Sequence, residues 1–166
     1  MRKYILLPIL LLIFSIEASA QSKRLPRFSL YPVAVEKVRA KSVDFRHSKG
    51  ASTYRTRLNE GFADGVNFAG HYIVVGWGCG TGCTNAAIID SRTGKVVWPE
   101  EFYNVDASYG EGYSDVQLDF RKNSRLLIIH GRPGTAKESG STAPMGDHYF
   151  EWRNDHFRLL KVVKKA

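Results

Sequence analysis

Apolar and polar positions alternate in short runs over most of the second half of the chain. Val116, Leu118 and Phe120 alternate with Gln117, Asp119 and Arg121, the pattern of a strand with one face to a core and one to solvent. Residues 122–125 then make a turn, and residues 126–130 return as a second strand. Residues 148–153 and 156–163 enclose Asn154-Asp155, a two-residue hairpin signal. Residues 86–90 and 95–98 enclose Ser91-Arg92-Thr93-Gly94, a turn in which Gly94 takes a positive φ at little cost. Residues 68–77 contain Tyr72-Ile73-Val74-Val75, apolar on both faces, and predict a central strand. One stretch follows another period. Tyr54, Leu58 and Phe62 recur at i, i+4 and i+8 and predict a helix over 52–64, with Ser52 as its N-cap and Gly65 as its stop.

These elements make six or seven strands and one short N-terminal helix. Successive hairpins with short turns favour antiparallel pairing. The expected class is mainly β (α+β), an antiparallel meander. Helical crossovers between successive strands are absent, which argues against a doubly wound α/β fold. Residues 33–49 are ambiguous, with an irregular strand near 33–38. Two long segments, 99–115 and 132–147, interrupt the pattern, and loops of that length in a small domain often carry function.

The first twenty residues change the picture. Arg2 and Lys3 precede an apolar run over 5–16, and Ala18-Ser19-Ala20 follows it. That order is the signature of a secretory signal peptide cleaved before Gln21. The apolar run is too short to span about 30 Å of hydrocarbon as a helix, and no later stretch is long enough, so no membrane span is expected after cleavage. Residues 21–166 are then a single exported domain, periplasmic or secreted, with 21–31 as a mobile arm. Of the 166 residues, 43% are apolar and 24% charged, which excludes disorder, collagen and coiled coil for the whole chain. The net charge of +8 becomes +7 without Arg2, Lys3 and Glu17.

Residues 77–83 read Trp77-Gly78-Cys79-Gly80-Thr81-Gly82-Cys83. Both cysteines of the chain are here. In an oxidising compartment such a pair is read first as a disulfide. Residues four apart can be bridged only by a tight reversal, and Gly80 and Gly82 permit one. A redox pair, a metal site and a nucleophilic thiol compete with this reading. The C-x-x-x-C spacing, the absence of further cysteines and the compartment each weigh against them.

The run from Asn67 to Tyr72 (N-F-A-G-H-Y), the W-G-C-G-T-G-C loop, Ile88-Ile89-Asp90 with Thr93-Gly94-Lys95-Val96, and the later 125–129 and 149–152 segments resemble a family of small uncharacterised exported bacterial proteins. The resemblance covers roughly residues 52–163. It implies export and carries over no catalytic residue and no cofactor.

His71 would share a strand face with Ile73, Val75 and Trp77. It reads either as a half-buried structural side chain or as part of a pocket rim beside Cys79 and Cys83. His148 and Glu151, three apart in a strand, would point to opposite faces. His47 and His156 lie in polar or turn contexts. No nucleophile elbow, phosphate-binding loop or zinc-protease motif is present. Basic residues gather loosely at 23–27, 37–41 and 161–165, and the charge suits an anionic partner or plain solubility. An envelope protein or an anionic envelope polymer is the expected partner, and nucleic acid is not. The expected function is a non-enzymatic binding or interaction protein, a class that includes inhibitors and immunity-type proteins. Its candidate loop site is His71, Trp77, Gly80, Thr81 and Gly82. The alternative is an envelope hydrolase or redox enzyme with its site near His71 and the Cys79/Cys83 loop.

Overall fold

The structure is a computed structural model describing residues 24–37, 39–106, 117–135 and 140–165. The described residues form two four-stranded antiparallel sheets and one α-helix. In the first sheet β1 (Tyr72–Gly80) and β2 (Cys83–Asp90) make a hairpin, with Tyr72 opposite Asp90 and Trp77 opposite Asn85. Two short strands share the other edge of β2. β3 (Val96–Val97) lies opposite Ile88 and Ile89, and β4 (Val105–Asp106) opposite Cys83 and Thr84. Residues 85–87 therefore have no strand partner on that edge. The second sheet runs in chain order through β5 (Leu118–Phe120), β6 (Leu126–Gly131), β7 (Gly146–Arg153) and β8 (His156–Lys164). Asp106 and Arg132 exchange two backbone hydrogen bonds of 2.9 and 3.0 Å and join the sheets at one corner.

The two sheets face each other across the main core. Tyr72 and Val74 of β1 and Ala86 and Ile88 of β2 meet Leu127, Ile129, Phe150, Trp152 and Phe157 of the second sheet. The alternate residues of the first sheet, Ile73, Val75, Ala87 and Ile89, turn to Leu58 and Phe62 of α1 (Arg55–Asp64). On the far side of the second sheet Leu126, Ile128 and Tyr149 are covered by Phe28 and Tyr31. The central strands of both sheets are thus buried on two faces. That is why 72–75 and 126–129 are continuously apolar, whereas the edge strand β5 alternates.

Local chemistry explains the junctions. Asn154 and Asp155 both take positive φ in the β7–β8 turn, as a two-residue hairpin of the right twist requires. Gly61 sits within α1 because a Cβ there would overlap the Val75 side chain. Asn67 occupies the outer edge of β1, where its amide accepts from Val74 N–H at 2.8 Å and donates to Val74 C=O at 3.0 Å. A single side chain thereby occupies the place of a further strand.

The helix begins later than its periodicity predicts. Residues 51–54 form a 3-10 turn that Gly50 enters in the left-handed region, and Ser52 makes no cap. Gly65 does end the helix, donating its N–H to Gly61 C=O. The described part of the arm, 24–31, does not stand free: Phe28 and Tyr31 seat on the second sheet, and Ser124 Oγ donates to Phe28 C=O at 2.9 Å. The described residues of 33–49 form no strand. Leu118 and Phe120 pack on the core as the alternation predicts, while Val116 lies outside the described residues. So do residues 1–20, where the leader is expected, and residues 107–115 and 136–139 of the two long segments. Among the described residues no helix is long and apolar enough to cross a membrane.

Candidate functional site

The chain departs from β2 between β3 and β4 and leaves an open groove of about 320 Å³. Its floor is Trp77 and Asn85, cross-strand partners on the helix-facing side of the first sheet. One wall comes from Lys49, Gly50 and Tyr54 at the start of the helical segment, the other from Trp98 to Tyr103. A 3-10 turn at Glu100–Phe102 carries this second wall, and Phe102 roots it in the inter-sheet core.

Four aromatic side chains dominate the groove. Tyr54 lies on Trp77 with ring centroids 4.5 Å apart, and Trp98 stands 5.6 Å from Tyr54 and 6.2 Å from Trp77, nearly perpendicular to the latter. Trp98 is 36% exposed and Tyr103 56%. The Trp98 side chain is pinned, and the backbone around Tyr103 is held. Trp98 Nε1 donates to Lys49 C=O at 3.0 Å, and Asn104 N–H donates to Asn85 Oδ1 at 2.6 Å. From the segment after β6, Gly134 N–H donates to Glu101 C=O at 2.9 Å, and a Cβ on Gly134 would strike the Tyr103 carbonyl. The carboxyl of Glu101, beside Glu100 in the same turn, is pushed up chiefly by burial.

The cysteines are paired across the β1–β2 turn, with Cα atoms 5.1 Å apart. Gly80 and Gly82 take φ of +141° and +69°, which lets a ring of this size close. Thr81 is exposed at the tip. Cys83 Sγ lies 3.7 Å from Asn104 Oδ1, a contact without a shared proton because a disulfide sulfur carries none. Asn104 therefore touches both the disulfide and Asn85, so the staple borders one end of the groove.

Of the predicted loop residues Trp77 alone lines this groove; Gly80, Thr81 and Gly82 lie beyond it in the disulfide turn, which reaches it only through Asn104, and His71 lies elsewhere. His71 precedes the other end of β1, about 25 Å from Cys79 at the rise of an extended strand. The expectation of His71 at a pocket rim beside the cysteines is overturned by that separation. The ring is buried between Glu36 Oε1, 3.3 Å from Nδ1, and Asp90 Oδ1, 3.9 Å from Nε2, and neither nitrogen has a hydrogen bond. Burial and then the nearby Arg92 lower its pKa, against the pull of Asp90, Glu36 and Asp155. Beside it, burial and the hydrogen bond to Asp155 Oδ1 at 2.7 Å push the Tyr72 hydroxyl up to about 12.

The remaining histidines are dispersed. His148 stacks toward Phe150 inside the sandwich, and its Nε2 donates to Pro144 C=O at 2.8 Å. Burial lowers its pKa despite that bond. Glu151 points the other way and is gathered by Arg158, Arg125 and Arg153 at 2.6, 3.4 and 3.8 Å. His130 Nδ1 lies 2.7 Å from Asp147 Oδ1, which Lys165 also meets at 3.0 Å. Burial would raise the Asp147 pKa, but these two partners hold it low. No three His, Cys, Asp or Glu among the described residues are grouped to hold a metal.

Tyr54, Trp98, Tyr103 and Asn85 are groove residues that the sequence does not single out. Tyr54 reads there only as helix stripe and Trp98 only as a strand end. Comparison with models of known protein families, with curated proteins and with solved structures finds no match.

Proposed function

We propose that this chain is an exported, non-catalytic binding module that takes its ligand in the Tyr54–Trp77–Trp98–Tyr103 groove. The observation that carries this reading is a pair of exposed aromatics facing an open cavity, Trp98 with its indole pinned and Tyr103 on a held backbone, beside a sheet packed on the second sheet and on α1. Concave, mostly apolar sites with a few convergent polar groups are the usual form of a ligand site, and rigid aromatics bind with little loss of side-chain freedom. The alternative of an envelope enzyme joining His71 to the cysteine loop lacks its geometry, because the two lie at opposite ends of β1.

Export is supported by the N-terminal pattern and by the disulfide, which persists in an oxidising compartment. An inhibitor or immunity-type protein is one form such a module takes, and a component of the envelope its partner. The test uses the mature, tagged chain and a Trp98→Ala/Tyr103→Ala variant whose fold is verified by thermal melting. Saturable capture of one envelope component by the native chain, lost in the variant, is the expected result. Capture that is absent, or the same with both proteins, rejects the reading.

A further inference from the structure

Resting on the reading of the groove as a binding site, we propose that its occupant is a neutral saccharide, seated through one pyranose ring. The first argument is the shape of the wall. Trp77, Tyr54 and Trp98 touch one another at centroid spacings of 4.5 to 6.2 Å. A cage for an ammonium group needs its rings to stand apart around the cation, whereas these rings pack on one another and leave no space between them for one. Trp98 stands nearly perpendicular to Trp77, so the rings form an apolar corner in which the apolar face of one ring can seat.

The second argument is charge. The rim carries Lys49 and Glu100, one of each sign. Neither an anion nor a cation finds a net field there, so a neutral ligand with hydroxyl or amide groups fits best.

The third is the gap in the sheet. Residues 85–87 lack a strand partner on the groove side, and their backbone makes no hydrogen bond to residues 98–104. Backbone groups alternate sides along an antiparallel strand, so at least one residue of the three turns its N–H and C=O toward the groove. Asn85 adds a side-chain amide whose Oδ1 is taken by Asn104. Polar groups thus lie at the edge of an aromatic face, which matches a ring with C–H bonds on its face and hydroxyls around its rim.

The same gap argues against a peptide. It is roughly 10 Å long at about 3.3 Å per residue, and β3 and β4 close both its ends. An extended segment adding itself to the edge of β2 would run into one or the other. A compact ring does not.

The experiment follows the indole N–H signals of the full mature chain by two-dimensional NMR. The added probes are maltotetraose, the tetramer of N-acetylglucosamine, galactose and, separately, a decaproline peptide. A saturable shift of the Trp98 indole with at least one saccharide is expected. Trp98→Ala should weaken that affinity by about tenfold or more, while Leu159→Ala, an exposed change on β8, should leave it unaltered. No shift with any saccharide in the millimolar range, or one independent of Trp98, overturns the saccharide assignment. If decaproline binds and no saccharide does, the occupant is a peptide and the binding-module reading survives alone. If Trp98-dependent capture from the envelope also fails, both fall.

Discussion

Gly61 of α1 and Val75 of β1 approach so closely that a methyl group on the glycine would overlap the valine side chain. This contact sets how near the helix lies to the first sheet. It places the 3-10 turn before α1, and with it Tyr54, against Trp77.

The contact makes an opposed prediction for a common stabilising change. Gly61→Ala gains about 1 kcal/mol of helix propensity, but overpacking at a buried contact costs about 1–3 kcal/mol. Net destabilisation in urea is expected. In a Val75→Ala background the same substitution should stabilise, because the overlap is gone. Stabilisation of the native chain by Gly61→Ala would show that the helix can move off the sheet.

Asn67 is the sole partner of Val74 on the outer edge of β1 among the described residues. Asn67→Asp replaces the donor by a carboxylate facing the Val74 carbonyl and should cost about 2 kcal/mol. Asn67→Ala should cost less, since water can reach a strand edge. The comparison is made by chemical denaturation at neutral pH, and equal stabilities for both variants would deny the pairing.

The disulfide closes so short a loop that the chain-entropy account gives it only about 2 kcal/mol. Cys79→Ser/Cys83→Ser is therefore expected to fold, with a lower denaturation midpoint and an unchanged m-value. The larger effect should be local, in amide exchange at residues 78–84 and in Asn104. Alkylation of material from its native compartment should leave both thiols unmodified until reductant is added.

How far the fold is legible follows from where these features sit. The hairpins at 91–94, 122–125 and 154–155 could be read because turn chemistry and alternation are local. The division into two sheets could not, since Asp106 and Arg132 meet through backbone groups that leave no mark on side-chain pattern. Ser52 satisfies a capping rule that the preceding 3-10 turn overrides. The arm at 24–31 reads as solvated because its basic residues hide two anchors, Phe28 and Tyr31. The groove was half visible: Trp77 lies inside the conspicuous cysteine motif. Tyr54, Trp98 and Tyr103 come from three other elements, and only folding joins them. Sharing an alternation with Ile73, Val75 and Trp77 does not bring His71 near the cysteines, because it precedes β1 and they lie at the strand's far end.

Two buried histidines make stability depend on pH in one direction. His71 and His148 have folded pKa values lowered chiefly by burial, while an unfolded histidine titrates near about 6.5. Above that pH they contribute no slope. As pH falls below it, the unfolded chain takes up protons that the native state resists, so the melting temperature should drop. Asp147 adds a separate acid loss: its stabilisation is complete above about 3.9, the unfolded value, and disappears as pH falls through its lower folded pKa. His71→Gln should flatten the first slope without altering the second. A melting temperature that rises on mild acidification would contradict the burial of both rings.

The three tryptophans occupy two different environments. Trp152 is 2% exposed between the sheets, while Trp98 stands at the open rim with Trp77 beside it. Intrinsic emission is therefore a mixture of a blue component sealed from iodide or acrylamide and a redder one open to them. Quencher titration separates the two, so a single cuvette can report on the integrity of the interior and on events at the rim without any label.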